Sequence, residues 1–398
     1  MPATRRVARP RVAALLAGFV LGVLLWLPGC SARSAEPVRD SREALGTFVT
    51  VTAYGPDRAA IQRAIDDAFD AIAGVEAQLS AYPDIAADPT SASAAPAQEA
   101  TTVAQFNLAP YQWHVLPGGA VTVLDRVREL GVEDYFAPGM LRVVQLYDFE
   151  GGGNVPDSAE LTRMVRAAQA FETRVVSAGV EGRFAATDVL LAPPNPAWSS
   201  FAPPAAGLDL SAALKGLALD AALAAMEDAV ASGDITGALV SAGSTTLVTG
   251  RKASAGDAGP WRVGIEDPRD PKKIIGVVDY SLPSAAQGAG GEAGAFGTVS
   301  TSGDYQQSFV RDGVRYHHIL EPAAGTPARG MRSLTVVGAS SGLDSDILST
   351  ALFVMGVEKA ETYARDHRLG LFIVDAEGRT RIVPGPKDAP WEIREGSG

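Results

Sequence analysis

The stretch LTVVGASSGLDSDILSTALFVMG, residues 334–356, reads as a β-branched strand, a Gly/Ser turn and a helix that is apolar on nearly every side. Two folds could contain it. Gly338–Gly342 fits Gly-x-Ser-x-Gly between strand and helix, the setting of a nucleophile elbow with Ser340 at its tip. That reading needs later strands carrying an acid and a histidine. Only His367 lies downstream, and residues 341–398 leave little chain to build them. The simpler reading is a tight turn feeding a buried helix. Asp346 and Thr350 then share one face near the start of that helix. A carboxylate favoured by the helix dipole and a back-bonded threonine account for them locally.

Working outward, strand patterns dominate. GTFVTVTAYG (46–55), GALVSAG (237–243), WRVGIEDP (261–268), IIGVVDYSL (274–282), TSGDYQQSF (301–309) and YHHILEP (316–322) precede the opening stretch or its neighbourhood, and LGLFIVDAEGRTRIV (369–383) reads as a closing hairpin. Helical periodicity covers Asp57–Ser80, about Val121–Leu130, a segment capped by Asp157 and Glu160, and 208–230. This order fits an α+β domain with mixed or antiparallel sheets and packed helices better than a regular βαβ array. Residues 44–390 form the expected domain, with flexible insertions near 83–105 and 284–297, both low in complexity. GAGGEAG (288–294) has no helix after it, which removes the dinucleotide-loop reading.

The N-terminus reads as a lipoprotein-type signal peptide over 1–29. Arg5, Arg6, Arg9 and Arg11 precede the apolar run AALLAGFVLGVLLWL, and Leu27-Pro28-Gly29-Cys30 resembles a lipobox with Cys30 as the lipidated residue. Residues 30–43 follow as a polar tether. These features predict export and a lipid anchor on a bacterial membrane, facing the periplasm. Cys30 is the single cysteine, so catalysis by a cysteine of the folded domain is excluded. The net charge of −12 argues against nucleic acid as a partner, and an anionic substrate would need a metal or local donors to offset it.

The chain has four histidines. His317 and His318 are adjacent, so on a strand they point to opposite faces and at most one serves a given site. Lys215 sits inside an apolar helix between Asp209 and Asp220, where it either snorkels or meets an anion.

In this order, LGT (45–47), LSAY (79–82), YFAPGMLRVVQLYDF (135–149), DLSAALKG (209–216), SAGSTTLVTG (241–250), STSGDY (300–305), YHHILEPAAG (316–325) and SDILSTALFVMG (345–356) resemble the ApbE family, the FAD:protein FMN transferases. The resemblance implies a T-fold-related architecture and Mg2+-dependent transfer of FMN from FAD to a Thr or Ser hydroxyl of an acceptor flavoprotein, with release of AMP. The implied acceptors are subunits of respiratory flavoprotein complexes. It implies that Asp346, Thr350, Ser349 and the carbonyl of Ala212 hold the metal, that oxygen donors of this kind suit a hard cation, and that His318 is the base. Leu45, Tyr82, Tyr135, Phe136, Ala137, Asp209, Lys215, His318 and Ile319 match flavin- or adenine-contacting positions. Leu45 replaces a common Met, Ala137 an Asp, Thr245 an Asp, Glu321 an Asp or Asn, and Ala324 a Thr. A metal-dependent FAD pyrophosphatase and a non-catalytic flavin-binding lipoprotein are the alternative functions.

Overall fold

The computed structural model describes residues 36–81, 102–108, 113–169, 173–177, 187–191, 207–252, 259–282 and 296–396. Along these residues run β1 (Val38–Ala44), β2 (Thr47–Tyr54), α1 (Arg58–Leu79), α2 (Val103–Leu108), β3 (Trp113–Val115), α3 (Gly118–Glu129), α4 (Leu141–Leu146) and α5 (Ser158–Gln169). Next come β4 (Thr173–Ser177), β5 (Thr187–Leu191), α6 (Ser211–Ala225), α7 (Glu227–Ala231), β6 (Gly237–Ala242), β7 (Thr245–Gly250), β8 (Trp261–Asp267) and β9 (Asp270–Tyr280). The C-terminal part holds β10 (Phe296–Gly303), β11 (Ser308–Arg311), β12 (Val314–His317), β13 (Met331–Val337), α8 (Gly342–Met355), α9 (Val357–Asp366), β14 (Gly370–Asp375), β15 (Thr380–Pro384) and β16 (Trp391–Glu395).

An eight-stranded sheet in the order β1-β2-β6-β7-β10-β13-β14-β15 organises the molecule, and every neighbouring pair in it is antiparallel. The α+β expectation therefore holds. Alternation along the strands sorts side chains to two faces. Leu247, Leu371 and Ile373 join the large core with α1, α6 and α8, whereas Val248, Phe372 and Val374 join a second core with Trp261, Val278 and Tyr280 of the small sheet β16-β9-β8. The main sheet is thus covered by helices on one side and by a second sheet on the other. Helices α6 and α8 meet backbone to backbone: a Cβ on Gly216 would lie 2.0 Å from the carbonyl oxygen of Gly342, so only glycine fits that crossing.

Several boundaries differ from the sequence reading. Residues 38–43 of the expected tether, together with Ala44, form β1, paired with β2 over its whole length. Polar composition hides this edge strand, because Arg42 lies over the Phe69 ring and pairs with Asp40 and Asp66. The insertion expected at 83–105 overlaps α2, which buries Val103 and Phe106; residues 82–101 lie outside the described residues. The one expected at 284–297 overlaps β10 at Phe296, and residues 283–295 likewise lie outside them. TSGDYQQSF is two strand ends joined by residues 304–307. The helix of the opening stretch begins at Gly342, with Ser341 as N-cap accepting from the Asp344 amide at 2.9 Å. Asp346 therefore sits a turn inside the helix, and Asp344 is the acid of its first turn.

Candidate active site

Four distant parts of the chain meet in one cleft of about 600 Å³. Leu45 comes from the β1–β2 turn, Ala212 and Lys215 from α6, His318 from the position just after β12, and Asp346, Ser349 and Thr350 from α8. Tyr135, Phe136 and Ala137 line a separate cavity of about 680 Å³, beside Met140 and Leu208. Asp209 and Ile319 line neither. The Asp209 amide donates to the Pro138 carbonyl at 2.7 Å and its carboxylate accepts from the Ser211 amide at 3.0 Å, so it ties the second cavity to the start of α6. Ile319 is core. Tyr82 and Cys30 lie outside the described residues.

Asp346 is 4 % exposed and is held entirely by neutral donors. Its Oδ1 accepts from Thr245 Oγ1 at 2.6 Å and from Ser300 Oγ at 2.7 Å, and its Oδ2 accepts from the Gly216 amide at 2.6 Å. Burial pushes the carboxyl above its ordinary value, against the pull of those three donors and of Lys215. Around it, Ser349 Oγ donates to the Asp346 carbonyl at 3.0 Å, and Ser302 Oγ lies 2.9 Å from Ser349 Oγ and 3.1 Å from Thr350 Oγ1. Thr245, a departure from the family pattern, thus contributes directly to the carboxylate's setting. Sequence reasoning missed Ser300 and Ser302 as well. Their signal was the two-residue spacing within STSGDY, which puts both hydroxyls on the helix-facing side of β10.

This donor set fits a hard cation. Every group is an oxygen, and the carboxylate uses three of its roughly four acceptor positions, leaving one on Oδ2. No cluster of three or more His, Cys, Asp or Glu able to hold a metal occurs among the described residues. The arrangement therefore suits an ion that keeps waters and takes further ligands from a substrate, as Mg2+ does, rather than one caged by protein alone.

The two adjacent histidines divide as the alternation rule requires. His317 is buried, donates from Nε2 to the Ala328 carbonyl at 3.0 Å and stands edge-on to Phe353; burial pushes its imidazole down to about 4. It is a neutral core residue. His318 is half-buried at the cleft wall, where burial also lowers its pKa. Its Nδ1 lies 3.4 Å from the Gln307 carbonyl oxygen, which can only accept. A hydrogen bond there has Nδ1 as its donor and leaves the lone pair on Nε2. Lys215 lines the same cleft, and its charge acts on both Asp346 and His318. Ser340 donates to Asp344, not to an imidazole, and Asp344 is in turn gripped by Arg126 at 2.8 and 2.7 Å. That is the structural turn expected of the Gly-x-Ser-x-Gly stretch.

Comparison with known proteins places these features. Curated relatives called FAD:protein FMN transferase align at 38% identity over 155 residues in Rhodobacter capsulatus, covering 39% of this chain and 25% of that protein. They align at 33% over 168 residues in Treponema pallidum, covering 40% and 41%, and at 32% over 173 residues in Escherichia coli K12, covering 43% of each. Each alignment spans less than half of the relative's length. Among solved structures, the ApbE protein of Thermotoga maritima superposes with a TM-score of 0.64 at 24% identity, over 87% of this chain and 96% of the other, which shows a shared fold. The apo flavinyl transferase ApbE of Pseudomonas stutzeri gives 0.60 at 21%, over 91% and 95%. The ApbE family profile matches residues 45–374, from the cleft's Leu45 through α8 to β14, and the chain belongs to the ApbE family.

Proposed function

We propose that this chain transfers the FMN half of FAD to a Thr or Ser hydroxyl of an acceptor flavoprotein, releasing AMP, with Mg2+ bound by Asp346, Thr350, Ser349 and the Ala212 carbonyl. The observation that carries the reading is the meeting of the Asp346 cluster and His318 in one cleft. The acceptor oxygen forms a bond to the phosphorus of the FMN half, and the bond from that phosphorus to the bridging oxygen breaks. AMP leaves with the bridging oxygen, and Nε2 of His318 takes the hydroxyl proton. A bound Mg2+ supplies neutralisation of the diphosphate charge. Lys215 adds a second positive charge, which a chain of net charge −12 needs before it can hold an anionic dinucleotide. Leu45 offers an apolar contact in the cleft. Tyr135 to Ala137 line the separate cavity, which in this reading takes an aromatic part of the substrate.

The acceptors in this reading are subunits of respiratory flavoprotein complexes. The chain is exported and anchored by a lipid on Cys30 at a bacterial membrane, facing the periplasm. Support comes from the basic-then-apolar leader and the lone cysteine. No helix among the described residues is long and apolar enough to cross a membrane. The test is incubation with FAD, Mg2+ and an acceptor domain. AMP together with an acceptor heavier by one FMN is expected. AMP with free FMN and an unmodified acceptor would replace transfer by hydrolysis.

A further inference from the structure

The base proposed above has a ring whose orientation rests on one carbonyl. The Gln307 oxygen accepts from the His318 amide at 3.1 Å and from His318 Nδ1 at 3.4 Å. The second contact is long, so a displacement of a few tenths of an ångström decides whether it persists. Gln307 ends the irregular segment 304–307 between β10 and β11, and on its far side the hairpin holds it, since Ser308 pairs with His317 and the His318 amide donates to the Gln307 carbonyl. The other end of the segment is anchored by Asp304, only 8 % exposed, whose Oδ1 and Oδ2 accept from Nη1 and Nη2 of Arg269 at 2.6 and 2.7 Å. The Asp304 amide also donates to the Arg332 carbonyl at 2.9 Å. Arg269 itself is held in the β8–β9 turn: its amide donates to Asp267 at 2.8 Å and its Nη1 to the Pro268 carbonyl at 3.0 Å. The small second sheet thereby reaches across to the segment whose Tyr305, Gln306 and Gln307 line the cleft.

We infer that Arg269 is a positioning residue: its bidentate grip on Asp304 sets the 304–307 segment so that the Gln307 carbonyl holds the His318 ring with its proton on Nδ1 and its Nε2 lone pair toward the cleft. The inference rests on the reading of His318 as base. Its physical core is that a nearly buried carboxylate stripped of its partner must turn toward water, carrying its segment with it. A planar, two-pronged donor fixes direction as well as distance, which a lysine in the same place does not.

The experiment uses the full chain without leader, labelled with 15N-histidine, in wild-type, Arg269→Gln, Arg269→Lys and Asp304→Asn forms. His318→Gln identifies the resonance, and thermal unfolding checks that each variant is folded. Wild-type His318 is expected as the Nδ1–H tautomer. Arg269→Gln is expected to mix in Nε2–H, with kcat for FMN transfer lower by about 10- to 100-fold and KM for FAD within about twofold. Arg269→Lys should restore part of both. If Arg269→Gln fails to fold, Asp304→Asn and Arg269→Lys carry the same readout. An unchanged His318 tautomer in folded variants overturns the inference whatever the rate. A changed tautomer with an unchanged rate leaves the clamp standing and removes His318 as base, so the two failures are distinguishable.

Discussion

Two buried carboxylates stand two residues apart on α8, and they are neutralised in opposite ways. Asp344, 2 % exposed, meets the fixed cation of Arg126 through two parallel hydrogen bonds and also takes the Ser340 hydroxyl. Asp346, 4 % exposed, meets two hydroxyls and one amide, none of them charged. The first has its counter-ion built in and is finished as a structural tie between α3 and α8. The second has its geometry fixed while its charge stays largely uncompensated, with Lys215 as the nearby positive group acting on it. A carboxylate in that state has room for a mobile cation, as the proposed function requires. The comparison teaches that burial by itself does not separate structure from function; the charge of the partner does.

The sharpest way to break the comparison is Asp346→Ala. FAD-dependent AMP release should fall by about 10³-fold, the scale of losing a charge-stabilising element at a phosphoryl centre. Unchanged release would dissolve the distinction between the two acids. Next, Arg126→Ala should leave Asp344 buried without its cation and cost about 3 kcal/mol in urea unfolding, since the stranded group is the nearly inaccessible one. FAD turnover of the protein that remains folded should stay close to wild type.

A third acid sharpens the picture through pH. Asp220 reaches from α6 to the first turn of α8, accepting from the Gly342 and Leu343 amides at 2.7 and 2.9 Å, and burial pushes its carboxyl up to about 6. A raised carboxyl binds its proton more tightly in the folded state than in the unfolded one. Its ionisation therefore costs stability, and that cost is relieved as pH falls through about 6 toward the ordinary carboxylate range. Asp220→Asn should flatten the stability profile between those limits by about 3 kcal/mol, read from denaturant midpoints at a series of pH values. The smallest effect is expected from Thr245→Val, which removes one donor to Asp346 at a cost of about 1 kcal/mol. The loss in melting temperature should shrink when Mg2+ is added, because a bound cation takes over part of the hydroxyl's work. An equal loss with and without the ion would place Thr245 in packing alone.

Much of this was legible in the chain itself. Apolar, β-branched runs such as IIGVVDYSL and LGLFIVDAEGRTRIV announce strands, and the repeating Ile61, Ile65, Phe69 and Ile72 announce α1. The pairing of Asp346 with Thr350 and the separation of His317 from His318 follow from the same periodicities. What stayed hidden depends on contacts far apart in sequence. The edge strand 38–44 looks like a tether until Asp66 and Phe69 are brought to Arg42. Thr245 and Ser300 look like ordinary strand residues until α8 lies across them. Asp344 and Asp346 look alike until α3 supplies an arginine to one of them.

The sequence by itself determined most element types, the α+β class and the family, since these depend on local periodicity and on motif order. Only the tertiary structure decided which acid is neutralised, which histidine faces the cleft with its Nε2 lone pair free, and which hydroxyls surround the carboxylate. Those outcomes are set by hydrogen bonds between residues from 11 to 218 positions apart, such as His318 to Gln307 and Arg126 to Asp344, and no local pattern encodes the partner at the far end.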